Sequence, residues 1–142
     1  MYETDIREQK VNIVEMVHAT GIAAHMSPAM AMLEILNVLL RDIMHIENGL
    51  DDERSDKLVL SNGHTALALY AVYETLGIIT KDEFYTYKKR NSRLGVHQDR
   101  LHTPGTLIST GSLGHGFPNA VGVAYAWKLQ EKNNRIFITV GD

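Results

Sequence analysis

Apolar residues Ile6, Ile13, Val14 and Val17 recur at helical spacing, which predicts an amphipathic helix at the start of the chain. Ser27 and Pro28 form a helix-start signal, with Ser27 as N-cap and Pro28 as first helical residue. The stretch from Met30 to Leu40 then carries Leu33, Leu36, Leu39 and Leu40 on one broad face. A charged connector, "ENGLDDERSDK", separates this helix from "LVLS". That short branched run reads as a buried strand delivering a turn at Ser61-Asn62-Gly63. From His64 the period is helical again through Leu67, Tyr70, Tyr73 and Leu76, and Gly77 is its C-terminal stop.

Thr80 and Glu83 supply a T-x-x-E capping box for a further helix reaching about Lys89. Arg90 to Ile108 holds no sustained period and contains Gly95, Pro104 and Gly105, so it is expected to be mostly loop. A glycine-rich loop follows, then a helix from Pro118 to Gln130, then a strand from Ile136 to Val140. The uniform apolarity of that strand predicts a central position, buried on both faces. Helices alternating with short apolar strands place the chain in the α/β class with a parallel sheet. Only two strands are evident. Apolar helix positions such as Val121, Ala124 and Tyr125 are therefore expected to be exposed and to suit a dimer interface.

At 142 residues the chain is long enough for one domain with a core, and it shows no repeat or internal boundary. The net charge of -3, with no basic cluster beyond Lys88-Lys89-Arg90, leaves no footprint for nucleic acid. The chain has no cysteine, which removes disulfides and thiolate chemistry and fits a reducing compartment. The polar N-terminus "MYETDIREQK" is unlike a secretory signal. No apolar run approaches the ~18 residues of a membrane span. The expectation is a cytoplasmic protein without a membrane partner.

Three features bear on chemistry. Glycines 111, 114 and 116 lie immediately before a predicted helix, where uncovered amides and the helix dipole suit a phosphate. Their GxxGxG spacing is neither of the common phosphate-binding fingerprints, so a tight structural turn remains the alternative. Of seven histidines, His25, His64, His97, His102 and His115 fall at element ends or in loops, where a lone histidine is usually just solvated. None is paired at the i, i+4 spacing of a helical zinc site. His64 follows a strand and a glycine turn, at the carboxyl end where α/β sheets place ligands. Asp142 shares that address after "IFITV"; a carboxylate there can hold Mg²⁺ on a phosphate or cap a helix.

"LVLSNGHTALALYA", "TPGTLISTGSLGHGFPNAVGVAYA" and "IFITVGD", in that order, resemble the N-terminal, diphosphate-binding domain of transketolases. The resemblance runs from about Ile6 to the last residue. It implies a helix-rich, incomplete version of the parallel-sheet thiamine-diphosphate-binding fold over residues 1–142, reaching only the start of the family's "GDG…N" motif. It implies an enzyme part dependent on thiamine diphosphate and Mg²⁺, transferring two-carbon ketol units between sugar phosphates.

By that resemblance, the backbone of Gly111, Ser112, Leu113 and Gly114 cradles the cofactor, and the Leu113 carbonyl meets its aminopyrimidine. His64 contacts the diphosphate and faces substrate. His25 and His97 match substrate-binding histidines, and Asp142 matches the first Mg²⁺ ligand. Departures from the family pattern fall beside the substrate positions: Met26-Ser27-Pro28 after His25, Gln98 where proline follows the histidine, Leu107, and His115 in place of glutamine. The missing C-terminal half, or a companion subunit, is then an expected partner, in a homodimer or a heterotetramer. Two other readings stand beside this one: a non-catalytic fragment or interaction module, and a generic nucleotide-phosphate binder resting on the glycine loop alone.

Overall fold

Acidic Glu3 and Asp5 in the first turn complement the helix dipole, and helix α1 spans Glu3–Thr20, longer at both ends than its apolar period. It stops at Gly21, whose φ of 65° is left-handed and whose amide closes on the Val17 carbonyl at 2.9 Å. The structure is a computed structural model and describes residues 2–141.

Helix α2, Met26–Val38, starts earlier than Ser27-Pro28 predicts: His25 is its N-cap residue, and no side chain caps it. Pro28 then sits third in the helix. That is harmless, because first-turn amides have no intrahelical acceptor to lose. Past Val38 the chain continues as a π-helical turn, Leu39–Ile43, closed by Met44 N–H on the Leu39 carbonyl at 2.9 Å. Nothing in the leucine period signals that change of pitch.

Strand β1, Lys57–Leu60, is buried along its whole length and leads through a 3₁₀ turn, Gly63–Thr65, into helix α3, Ala66–Thr75. Every α3 residue from Ala66 to Tyr73 is buried. Ile13 and Met16 of α1, Leu33 and Leu36 of α2, and Leu67 and Tyr70 of α3 belong to one continuous core. A buried polar seam crosses it. Gln9 donates to Asn37 Oδ1 at 3.1 Å and Thr75 Oγ1 at 2.8 Å, while Asn37 donates back to Gln9 Oε1 at 2.8 Å. Hydrogen bonds of this kind fix the relative register of three helices, since leaving any member unpaired would be costly.

The capping box at Thr80 is half formed. Thr80 Oγ1 accepts from Glu83 N–H at 3.1 Å, but the Glu83 carboxylate turns away to pair with Arg93. The resulting helix α4 is only Lys81–Phe84, not a helix to Lys89, and Lys88 beyond it adopts a left-handed φ of 58°. The long irregular segment that follows agrees with its lack of period.

Helix α5, Gly116–Leu129, leads to strand β2, Ile136–Thr139. Strands β1 and β2 pair in parallel, Lys57 opposite Ile136 through Leu60 opposite Thr139. The expectation that β2 would be buried on both faces does not hold: Ile136, Phe137 and Ile138 are half-buried and only Thr139 is buried. β2 has β1 on one edge and, among the described residues, no strand on the other. A single parallel bridge, Leu58 to Thr106, runs along the opposite edge of β1.

The amino ends of the strands are tied by Asp56, which accepts from His45 N–H at 2.9 Å, Arg135 N–H at 2.8 Å and the Arg135 guanidinium at 2.6 Å. Burial alone would raise the Asp56 carboxyl; those hydrogen bonds outweigh it and hold the group below its usual range. Among the described residues no helix is long and apolar enough to cross a membrane.

Candidate functional site

Because β1 and β2 run parallel, their carboxyl ends open on one side of the molecule. Ser61 N–H donates to the Thr139 carbonyl at 2.9 Å, and Thr139 Oγ1 donates to Asn62 Oδ1 at 2.7 Å, locking the two strand ends together. Gly141 lies beside this junction, its Cα facing Asn62 closely enough that a Cβ there would meet Asn62 Cβ at 3.9 Å. Asp142, the expected metal ligand, lies outside the described residues. Among the described residues no cluster of three or more His, Cys, Asp or Glu side chains is arranged to hold a metal ion.

The glycine-rich loop is seated on that junction, and its glycines do different work. A Cβ on Gly116 would lie 2.6 Å from Ser61 Cα, and one on Gly63 would lie 2.6 Å from Thr110 Oγ1 and 3.0 Å from the Gly111 nitrogen. Gly63 and Gly116 are therefore contact glycines, which let the loop and the start of α5 press against β1. Ser61 Oγ accepts from Phe117 N–H at 3.2 Å, taking one of the free amides in the first turn of α5. Gly114 is the opposite case: its φ is +87°, with nothing within 4 Å of where a side chain would begin. Ser112, Leu113 and Gly114 are exposed, so their backbone is uncovered at the mouth of the site. The GxxGxG stretch is a tight seat at its ends and an open cradle between them.

Three of the expected histidines converge here. His25, exposed at the start of α2, and His64, half-buried in the 3₁₀ turn after β1, place their rings edge to face with centroids 5.7 Å apart. His97 is half-buried against the loop, so close that a Cβ on Gly111 would stand 3.0 Å from its Nδ1. Desolvation lowers the His97 imidazolium below its ordinary range, and the nearby His25 and His64 push the same way. The structure thus brings His25, His64, His97 and Gly111 together from four separate segments. His102 belongs elsewhere; its Nδ1 pairs with Asp99 Oδ1 at 2.7 Å. His115 is the N-cap residue of α5 and makes no side-chain cap.

Several residues of the site carry no signal in the sequence. Thr110 Oγ1 donates to the Leu60 carbonyl at 2.7 Å and accepts from Gln98 Nε2 at 2.6 Å; Gln98 Nε2 also donates to Leu60 at 3.0 Å. Gln98 is 3% exposed, and its Oε1 has no hydrogen-bond partner. An unpartnered buried acceptor costs about 1–3 kcal/mol. The sole hint of this side chain in the sequence is its departure from the proline of the resembled motif.

The family described as "Transketolase, thiamine diphosphate binding domain" matches residues 4–138. One subunit of the apulose-4-phosphate transketolase of Phocaeicola vulgatus is 30% identical over 141 residues, which is 99% of this chain and 50% of that protein. A protein of Rhodococcoides fascians named ferredoxin fas2 is 36% identical over 124 residues, 86% of this chain and 41% of its own length. Among solved structures, transketolase from Leishmania mexicana superposes with a TM-score of 0.86 at 27% identity, covering 100% of this chain and 23% of its own. The chain therefore spans half or less of the length of these relatives.

Proposed function

We propose, from the premise that this chain belongs to the transketolase family, that it provides the diphosphate-binding side of a thiamine-diphosphate- and Mg²⁺-dependent transketolase acting on sugar phosphates. The observation that carries this reading is the convergence of His25, His64, His97 and an uncovered glycine loop at the carboxyl ends of two parallel strands. Crevices at strand carboxyl ends are where open α/β sheets take ligands. The fit to the cofactor rests on two features of the chain. Gly63 and Gly116 leave no room for a side chain, which lets the loop and the start of α5 sit tight against the end of β1, while Gly114 is exposed, with open space where a side chain would begin.

In this reading the amides of Gly111, Ser112 and Gly114 receive the diphosphate, and the Leu113 carbonyl receives the aminopyrimidine. Asp142 would hold Mg²⁺, as its match to the family's first metal ligand implies. The chemistry supplied by thiamine diphosphate when bound is stabilisation of a carbanion. The chain's own contribution is binding and proton handling. His64 contacts the diphosphate, and His25 and His97 hold the sugar hydroxyls. Desolvation lowers the His97 imidazolium and so favours the neutral ring, which can accept a proton from a hydroxyl that reaches it. The exposed face of α5, with Val121 and Tyr125, supports assembly with further polypeptide. A homodimer or a heterotetramer with a companion subunit would supply it, in the cytoplasm.

Calorimetric titration of thiamine diphosphate, with Mg²⁺, into the assembled enzyme tests this. Gly114→Val forces a β-branched residue into a left-handed conformation and is expected to weaken binding roughly tenfold or more. His97→Ala is expected to leave that affinity nearly intact while lowering kcat/KM by about 10²-fold. Unchanged cofactor affinity in Gly114→Val would overturn the cradle.

A further inference from the structure

We propose that Gln98 is a positioning residue: one side-chain nitrogen fastens both the His97 segment and the Thr110-Gly111 segment to the Leu60 carbonyl, and so sets how His97 meets the glycine loop. The importance of that meeting rests on the substrate-facing role proposed for His97 above.

The geometry begins with β1. Lys57 and Ser61 direct their amides to β2, at 3.0 Å from Arg135 O and 2.9 Å from Thr139 O. Alternate residues of a strand direct their backbone groups to opposite edges, so the Leu60 carbonyl faces away from β2. On that edge the segment after Thr106 runs beside β1 but, among the described residues, makes only the one bridge at Leu58. Among the described residues no backbone amide reaches the Leu60 carbonyl. Two side chains take its place: the Thr110 hydroxyl at 2.7 Å and the Gln98 amide at 3.0 Å, themselves joined at 2.6 Å. The three groups close a ring, all buried or half-buried.

The orientation of the Gln98 amide follows from this ring. Leu60 O is only an acceptor, so it demands Nε2 and leaves Oε1 without a partner. A long, flexible side chain held by its nitrogen while its oxygen goes unpaired is poorly explained as filler. Its position explains it better. Gln98 follows His97 and Thr110 precedes Gly111, and His97 Nδ1 and Gly111 stand at the contact where a Cβ would meet the ring at 3.0 Å. The two sides of that contact are each one residue from the ring.

Breaking the ring is expected to free His97 toward solvent. Gln98→Met keeps the length and bulk but removes the donor. Thr110→Val keeps the shape and removes the hydroxyl, whereas Thr110→Ser retains it. NMR titration of the histidine rings in the full chain, without cofactor, reads the result. The His97 midpoint is expected to rise toward that of an exposed histidine in Gln98→Met and Thr110→Val, and to return to the native value in Thr110→Ser. The native chain supplies a measurement independent of any variant: the Gln98 side-chain amide protons are expected to exchange far more slowly than those of an exposed glutamine. Unmoved His97 midpoints in both ring-breaking variants, or solvent-rate exchange of the native Gln98 amide, would overturn the proposal. With no thiamine diphosphate present, such a failure leaves the cofactor reading untouched, and a failure of calorimetry leaves Gln98 untouched.

Discussion

Helices α3 and α5 are written in nearly the same alphabet, "ALALYAVYET" and "GFPNAVGVAYAWKL", both rich in Ala, Val and Tyr. Their surroundings are opposite. α3 is enclosed by α1, α2, α4 and the 3₁₀ turn, and its residues Ala66 to Tyr73 are all buried. α5 rests on β1 and β2 and buries only Gly116 and Ala120, leaving Tyr125 63% and Leu129 68% exposed. Apolar composition states what a helix can pack against. It does not state how many neighbours are present, and in this molecule the neighbours are what separate a core helix from an uncovered one.

The contrast breaks most sharply in the core. Leu67→Ala removes a fully buried side chain and leaves a cavity in the core, and is expected to cost about 3 kcal/mol in urea denaturation. A loss under about 1 kcal/mol, the ordinary scale for a point substitution, would show that α3 is less enclosed than its burial indicates. Next comes a tight contact between the start of α5 and Ser61, the residue that follows β1. Gly116→Ala pushes a methyl group to 2.6 Å from Ser61 Cα, a backbone contact that cannot swing away. The expected loss is about 1–3 kcal/mol, accompanied by amide shifts at Ser61 and Phe117. The smallest effect belongs to the uncovered face. Tyr125→Ser should change the stability of the chain by less than about 0.5 kcal/mol, while lowering binding of a hydrophobic dye. A loss comparable to Leu67→Ala would mean that α5 is covered after all.

The same contrast explains how much is legible in the sequence. β1, α3 and the glycine loop are legible because local signals agree: branched residues for the strand, the period from Leu67 to Leu76, and a stop at Gly77 with φ of 72°. His25 and His97 are legible only through the resemblance to transketolases, since nothing local separates them from His102, whereas His64 is also marked by its place after β1 and a glycine turn. Elements whose outcome depends on remote partners differ from their local signals. Glu83 has the spacing to complete a capping box, but Arg93 ten residues on offers a charged partner that wins it. β2 has the apolarity of a central strand, yet burial requires neighbours on both sides. Gln98 is invisible for a similar reason. A lone glutamine in a loop carries no period, and its value depends on a carbonyl at Leu60 and a hydroxyl at Thr110.

The ring at Leu60 also gives the sheet a direction. A strand edge with free amides and carbonyls is a template on which any extended peptide can add itself. On β1 that edge is spent: Thr106 bridges Leu58, and the carbonyl of Leu60 is capped by side chains that offer no continuing ladder. The other edge of β1 is already β2. Among the described residues, the free template is the far side of β2 alone, where the half-buried Ile136, Phe137 and Ile138 await a neighbour. Sheet extension in this molecule is therefore one-way. A further strand, whether from the same polypeptide or another, has one place to join, beside β2, where it would cover more of that strand.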